Sequence, residues 1–241
     1  MAVRRSARLA AGAAAVVVLA CLSWVIPTGL YEVKPGPVVS LSEVISVEGY
    51  ERPRTSFYMV SVVASEASLA EVVRAAFEQS VEVWGEGAVT GGMDPDGYKE
   101  HAQALMEESK RVALQLALRE SGFPVDGSGD ALPPVHIGSG EVIGPSAGLA
   151  FVLEMIATLQ GVDLAGGRKV AATGALSPRG EVLPVGGILQ KAAACSREGI
   201  DLFLVPASME GAARRAAGGM KVVGVRDLGD ALTRLRSVDI P

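Results

Sequence analysis

The chain has 241 residues, a formal net charge of −5 and 49% hydrophobic residues, so it can bury a core in one domain or at most two. That charge, without a long basic run, excludes a nucleic-acid footprint. Cys21 and Cys195, and His101 and His136, lie far apart and lack metal-site spacing, so no disulfide, metal or other cofactor is expected.

Leu9 to Ile26 contains no charged residue. As a helix rising about 1.5 Å per residue it would nearly cross a hydrocarbon core of about 30 Å. Arg4, Arg5 and Arg8 precede it, whereas Glu32 and Lys34 are the first charges after it. The positive-inside rule then keeps the N-terminus in the cytoplasm and puts the chain after Pro27 outside. A cleaved signal peptide is the alternative, and Val18-Leu19-Ala20-Cys21 resembles a lipoprotein cleavage site. Trp24, placed as an interfacial aromatic, and the apolar run past Cys21 favour an uncleaved anchor. The expected organisation is a cytoplasmic N-terminus and transmembrane helix over 1–27, a stalk or edge strand over 28–54, and a folded domain over 55–241. Pro35, Pro37 and Pro53 mark the middle segment.

Within the folded part, Phe57 to Ala64 reads as a strand. Ser68 to Gln79 reads as a helix through Leu69, Val72, Val73 and Phe77, and Gly85 to Gly97 as a loop. Tyr98 to Ser121 has a strong helical pattern ending at Gly122 and Pro124. A loop over 125–134, a short strand Val135 to Ile137 and a second loop over Ser139 to Ile143 lead to Gly144-Pro145-Ser146, where an apolar helix begins. Strands at 170–176 and 182–185 flank the turn Ser177-Pro178-Arg179-Gly180, and Gly186-Gly187 opens the next helix. A strand at 202–205, a helix near 208–217, a strand at 222–225 and a helix at 228–236 complete a pattern without strict βαβ repetition, expected to be α+β.

Ser146 stands at the start of a helix whose run Leu149 to Ile156 demands burial. Pro145 suits the first helical turn, Gly144 permits close approach, and the amides around Gly144, Pro145 and Ala147 could stabilise an oxyanion. Plain capping is the ordinary use of such a serine. Lys191 changes the balance: on a helix it shares a face with Ile188, Ala192 and Cys195, the side expected to be buried. Burial disfavours an ammonium and suits a general base for serine, whereas a snorkelling lysine would be inert. Thr173, in an otherwise apolar strand, could hold a neutral amine, and His136 is a supporting candidate upstream of Ser146.

Met106-Glu107-Glu108-Ser109, Gly144-Pro145-Ser146-Ala147-Gly148, Thr173-Gly174, Gly180 to Gly187 and Lys191 together resemble the proteolytic domain of the Lon family, from about Met106 to Pro206. The resemblance implies a Ser146–Lys191 dyad supported by Thr173, the family's α+β fold, polypeptide substrates and ring assembly. The upstream region, with Tyr31 to Gly36, is similar to the membrane-anchored, ATP-independent branch. That branch carries a PDZ module where Gly122 to Pro134 is too short for one, which leaves substrate recruitment without its usual surface. Ile143 stands where ATPase-bearing Lon proteins have an acid, a residue the anchored branch also lacks. Gly161 to Gly166 opens like a phosphate loop, but Gly167-Arg168 follows where Lys and Ser or Thr are needed, so no nucleotide is expected. The leading expectation is an ATP-independent extracytoplasmic serine endopeptidase at the cell membrane, and the rival is a catalytically silent peptide-binding scaffold.

Overall fold

The computed structural model describes residues 17–51, 54, 56–123, 134–138 and 144–237. The expected loop over 125–134, save its last residue, the expected loop over 139–143 and residues 9–16 of the span from Leu9 lie outside them. Residues 17–23 are helical, and among the described residues no helix is long and apolar enough to cross a membrane. The chain divides into two compact units. One holds Val63–Met93 with the chain up to Lys34, and the other holds Pro35–Val62 with everything from Asp94.

In the smaller unit, the first part of strand β1 (Pro27–Ser40) pairs antiparallel with β4 (Glu82–Gly85). Helix α1 (Leu69–Ala75) follows directly on strand β3 (Phe57–Ser68), its start fixed by a capping box in which Ser68 and Glu71 satisfy each other's amides. Glu32, fully buried, is held by Lys34 at 3.0 Å and by Arg74, and these cations keep its carboxyl below the usual range against the opposing effect of burial. The segment expected as a stalk thus contains a strand, whose Val33 is buried where its first part pairs with β4. The loop expected over 85–97 contains a short helix, α2 (Glu86–Thr90), stopped by Gly91 in the left-handed region.

The larger unit is layered. Helix α3 (Pro95–Glu120) starts where the Asp94 carboxylate accepts from the Gly97 amide at 3.0 Å with Pro95 at the first helical position. Its buried stripe runs through Ala102, Met106, Ser109, Ala113 and Leu116. That stripe packs on helix α4 (Gly148–Gln160), which is buried from Gly148 to Leu159 and ends at Gly161, again left-handed. Each large aliphatic side chain so buried contributes about 1.5–3 kcal/mol. The single charge in that helix, Glu154, accepts from the Phe57 amide at 2.7 Å and ties the start of β3 to α4.

Strands β6 (Val170–Ala172), β9 (Leu202–Pro206) and β10 (Lys221–Val225) pair in parallel with one another, and β6 pairs in parallel with β3. Parallel neighbours require crossovers. Between β6 and β9 the chain forms the hairpin β7 (Ala175–Leu176) with β8 (Val182–Leu183) and helix α5 (Ile188–Arg197). Between β9 and β10 lies helix α6 (Glu210–Arg214), and helix α7 (Leu228–Ser237) closes the chain. Side chains alternate across the sheet as the pleat dictates. Leu202 and Leu204 join α3, α4 and α7 in one core, and Phe203 and Val205 join α5 and α6 in the other. The mixed sheet fits the α+β expectation. The crossovers flanking β9 were not legible because the helices between the strands are short and one of them is preceded by a hairpin.

Candidate active site

Gly144 enters the site at φ 99°, a conformation that side chains avoid, and the chain then makes one 3₁₀ turn over Pro145–Ala147 before α4 begins. Helix α3 holds this turn at two points on its buried stripe. The Ala102 carbonyl accepts from the Gly144 amide at 3.2 Å, and Ser109 Oγ donates to the Pro145 carbonyl at 3.1 Å. Gly148 must lack a side chain, since a Cβ there would stand 2.9 Å from Ser109 Oγ. From the sheet, the Gly174 amide donates to the Ser146 carbonyl at 2.9 Å and the Gly174 carbonyl accepts from the Leu149 amide at 3.0 Å. The backbone around Ser146 is therefore pinned from the helix and the strand, while neither helix start here uses a side-chain cap. The ordinary capping role of serine is not used at this position.

Lys191 is 2% exposed, on α5 beside Ile188, Ala192 and Cys195 of the second core cluster. The helix can begin there because Gly187 takes φ 66° and comes so close to β3 that a Cβ would lie 2.5 Å from Val62 Cγ1. Burial lowers the Lys191 pKa to about 8. A thiolate at Cys195 would oppose this, but burial pushes that thiol up to about 12, so it is neutral where the amine titrates and offers no counter-charge.

Thr173 connects the two residues. Its Oγ1 accepts from Lys191 Nζ at 3.3 Å and donates to the Ser146 carbonyl at 3.1 Å. The direction matters. Because the threonine proton is committed to the carbonyl, its lone pair faces the amine and takes an N–H, which leaves the lone pair of a neutral lysine free to accept a proton elsewhere. Strand β6 ends at Ala172 rather than continuing to 176, and Gly174 at φ 154° makes the break. A Cβ on Gly174 would stand 2.6 Å from Val182 Cγ1.

Two of the expected supporting groups have other partners in the structure. His136 is opposite Ser46 in the two-stranded sheet β2 (Ile45–Val47) with β5 (Val135–Ile137). It is exposed, and its Nε2 lies 3.2 Å from Glu48 Oε1. Its partner is thus a surface carboxylate, and among the described residues its hydrogen bond runs to Glu48 and not to Ser146, Thr173 or Lys191. Of Gly144, Pro145 and Ala147, the first donates its amide to Ala102 and the second has no N–H, so Ala147 is the remaining amide of the three at the first turn of the helix. The hold of Ser109 on the turn was not legible in the sequence beyond its place in the run Met106 to Ser109. The signal was its helical spacing from Ala102 and Met106 on the face toward the turn.

A hydroxyl on a rigid turn and an amine whose proton affinity is lowered by burial, and whose N–H is oriented by a threonine, can together generate an alkoxide-like nucleophile. Thr173→Val keeps the shape and removes the hydroxyl. Its expected effect is a fall in kcat of about 10- to 100-fold with little change in KM. The ascending pH limb should move down, because an acceptor for the ammonium is lost, and Thr173→Ser should restore both. A Thr173→Val protein with unchanged kcat would mean that the threonine only fills space.

Residues 77–233 match the family model of the Lon protease (S16) C-terminal proteolytic domain. Among curated proteins, the chain is 34% identical over 137 residues to the Lon protease of Anaeromyxobacter dehalogenans (strain 2CP-C), a stretch covering 56% of this chain and 15% of that protein. It is 36% identical over 111 residues to Lon protease 1 of Sorangium cellulosum (strain So ce56), covering 44% of this chain and 13% of the relative. The Lon protease of Roseiflexus castenholzii (strain DSM 13941 / HLO8) is 36% identical over 107 residues, covering 42% and 13%. The chain thus spans only a small part of the length of these relatives.

Proposed function

Because the chain belongs to the Lon protease (S16) C-terminal proteolytic domain family, we propose that it is an ATP-independent serine endopeptidase with Ser146 as nucleophile and Lys191 as general base. The observation that carries this reading is the buried relay from Lys191 Nζ through Thr173 Oγ1 to the Ser146 carbonyl. Neutral Lys191 takes the hydroxyl proton as Ser146 Oγ attacks the peptide carbonyl. The oxyanion forms near the Ala147 amide, and the resulting ammonium returns the proton to the leaving amine. Water, deprotonated by the same lysine, then releases the acyl group and restores the serine. The substrates on this reading are unfolded or flexible polypeptides.

The loop over 161–168 supports independence from nucleotide. The Gly166 and Gly167 amides, which a phosphate loop would turn toward its ligand, are donated to the Asp163 carboxylate at 2.9 and 3.1 Å. Addition of ATP and magnesium is expected to leave the rate of the purified chain unchanged. A several-fold stimulation would contradict the reading.

The charge asymmetry around Leu9 to Ile26 supports an uncleaved anchor with the folded units outside the cytoplasm. Protease added to intact spheroplasts should digest them. Protection until lysis would reverse the orientation. Ring assembly through self-association is part of the same reading, and sedimentation of the detergent-solubilised chain tests it.

The deciding experiment is digestion of an unfolded model polypeptide by the purified chain and by Ser146→Ala. Cleavage lost with the substitution supports the peptidase. Binding of the polypeptide without cleavage by the unsubstituted chain at any pH would mark a silent scaffold.

A further inference from the structure

The spacing of Leu69, Val73 and Phe77 is that of a buried helical face, yet α1 buries no residue at all. Val73 is 55% exposed and Phe77 85% exposed. A second apolar set is exposed in the same unit at Trp24, Val25 and Ile26. The two sets adjoin. The Leu69 amide donates to the Ile26 carbonyl at 3.2 Å, and Thr28 Oγ1 donates to the Ala67 carbonyl at 2.6 Å. The capping box at Ser68 and Glu71 fixes the direction in which α1 leaves this junction.

We propose that this ridge, Leu69, Val73 and Phe77 together with Trp24, is a membrane contact that dips into the interface of the bilayer holding the anchor. The inference rests on the reading of Leu9 to Ile26 as a span. If that span ends at Ile26, a residue hydrogen-bonded to the Ile26 carbonyl sits at interfacial depth, and the helix starting there runs along the surface. Exposed Phe and Trp side chains are the chemistry that this zone accommodates.

The charge of the unit decides which lipid surface it suits. Its described residues include the acids Glu32, Glu66, Glu71, Glu78, Glu82 and Glu86 against two cations, Lys34 and Arg74. Both cations are bound to Glu32. No basic patch remains among the described residues of this unit to recognise anionic headgroups, so the contact is apolar insertion into a zwitterionic interface.

The test uses the full chain in phosphatidylcholine vesicles, with Cys21→Ser as background and Phe77→Cys or Glu198→Cys carrying an environment-sensitive fluorophore. Cys195 is fully buried and stays unlabelled. Both substituted positions are exposed, so neither change threatens folding. With spin-labelled lipid as quencher, the probe at position 77 is expected to be quenched several-fold more than the probe at position 198, in protein that resists carbonate extraction. Quenching should be unaffected by salt or added phosphatidylserine. A carbonate-resistant protein with an unquenched probe at position 77 overturns the ridge contact while leaving the anchor standing. Release by carbonate with no quenching overturns both. Absent quenching, together with disulfide cross-linking between unlabelled copies of the Phe77→Cys protein, assigns the ridge to a second copy and overturns the membrane contact. Quenching that appears only with phosphatidylserine overturns the assignment to a zwitterionic surface.

Discussion

Ser146→Ala is expected to reduce hydrolysis of an unfolded polypeptide by at least about 10⁴-fold, since without the hydroxyl there is no covalent route and only binding and oxyanion stabilisation remain. Stability should barely change. Neither helix start at this turn uses a side-chain cap, and the hydrogen bonds that hold it run to backbone groups of Gly144, Pro145 and Ser146, which alanine keeps. A shift within about 0.5 kcal/mol is therefore expected instead of the loss of about 1 kcal/mol that removing a true N-cap would bring. Thermal unfolding and product release measured on the same preparation check both parts. A folded Ser146→Ala protein that still cleaves would remove Ser146 as nucleophile.

Replacement of Lys191 should be as damaging, and its pH dependence should report the base. With the amine held at about 8 by burial, the deprotonated fraction rises with pH through that value, so kcat/KM should climb up to about 8 and level off above it. Lys191→Arg should be inactive, because a guanidinium stays protonated at any usable pH. A buried arginine could also disturb folding, so Lys191→Met is the second variant, similar in length and apolar. The linkage has a definite sign. The unfolded chain holds the lysine proton up to about 10.5, whereas the folded chain releases it near 8. Stability contributed by this group therefore rises with pH between those values, and below the lower one the folded state bears the whole cost of a buried ammonium. That cost is on the order of 3 kcal/mol for a shift of the size found for Lys191. Lys191→Met should thus be inactive and yet more stable at neutral pH. Retained turnover in either variant, with no pH limb near 8 in the unsubstituted chain, would place the base elsewhere.

Much of the site could be read without coordinates, for a physical reason that differs by residue. The buried face of α5 was legible because Ile188, Lys191, Ala192 and Cys195 recur at helical spacing, and a lysine on such a face requires explanation wherever the helix packs. The run after Ser146 was legible because a helix apolar on all sides has to be central. Thr173 was only a weak signal. Its role depends on β6 breaking at Gly174, and that break depends on the close approach of Val182 from the next hairpin.

The sequence by itself determined the local periodicities and the charge pattern: which helix faces are apolar, where Gly144 and Gly187 permit a turn, and which lysine sits on a buried side. Those are properties of neighbours along the chain. Only the tertiary structure decided the direction of the Thr173 hydroxyl, the hold of Ala102 and Ser109 on the Gly144–Pro145 turn, and the exposure of His136 on a separate sheet. It also decided that α1 turns Leu69 and Val73 outward, with Phe77 exposed just beyond its end. Each of these depends on a partner distant in sequence: Lys191 and Ser146 for Thr173, α3 for the turn, Glu48 for His136, Ile26 for α1. Helical or strand periodicity states that a side chain wants a partner, and only the packed chain supplies one or leaves it waiting.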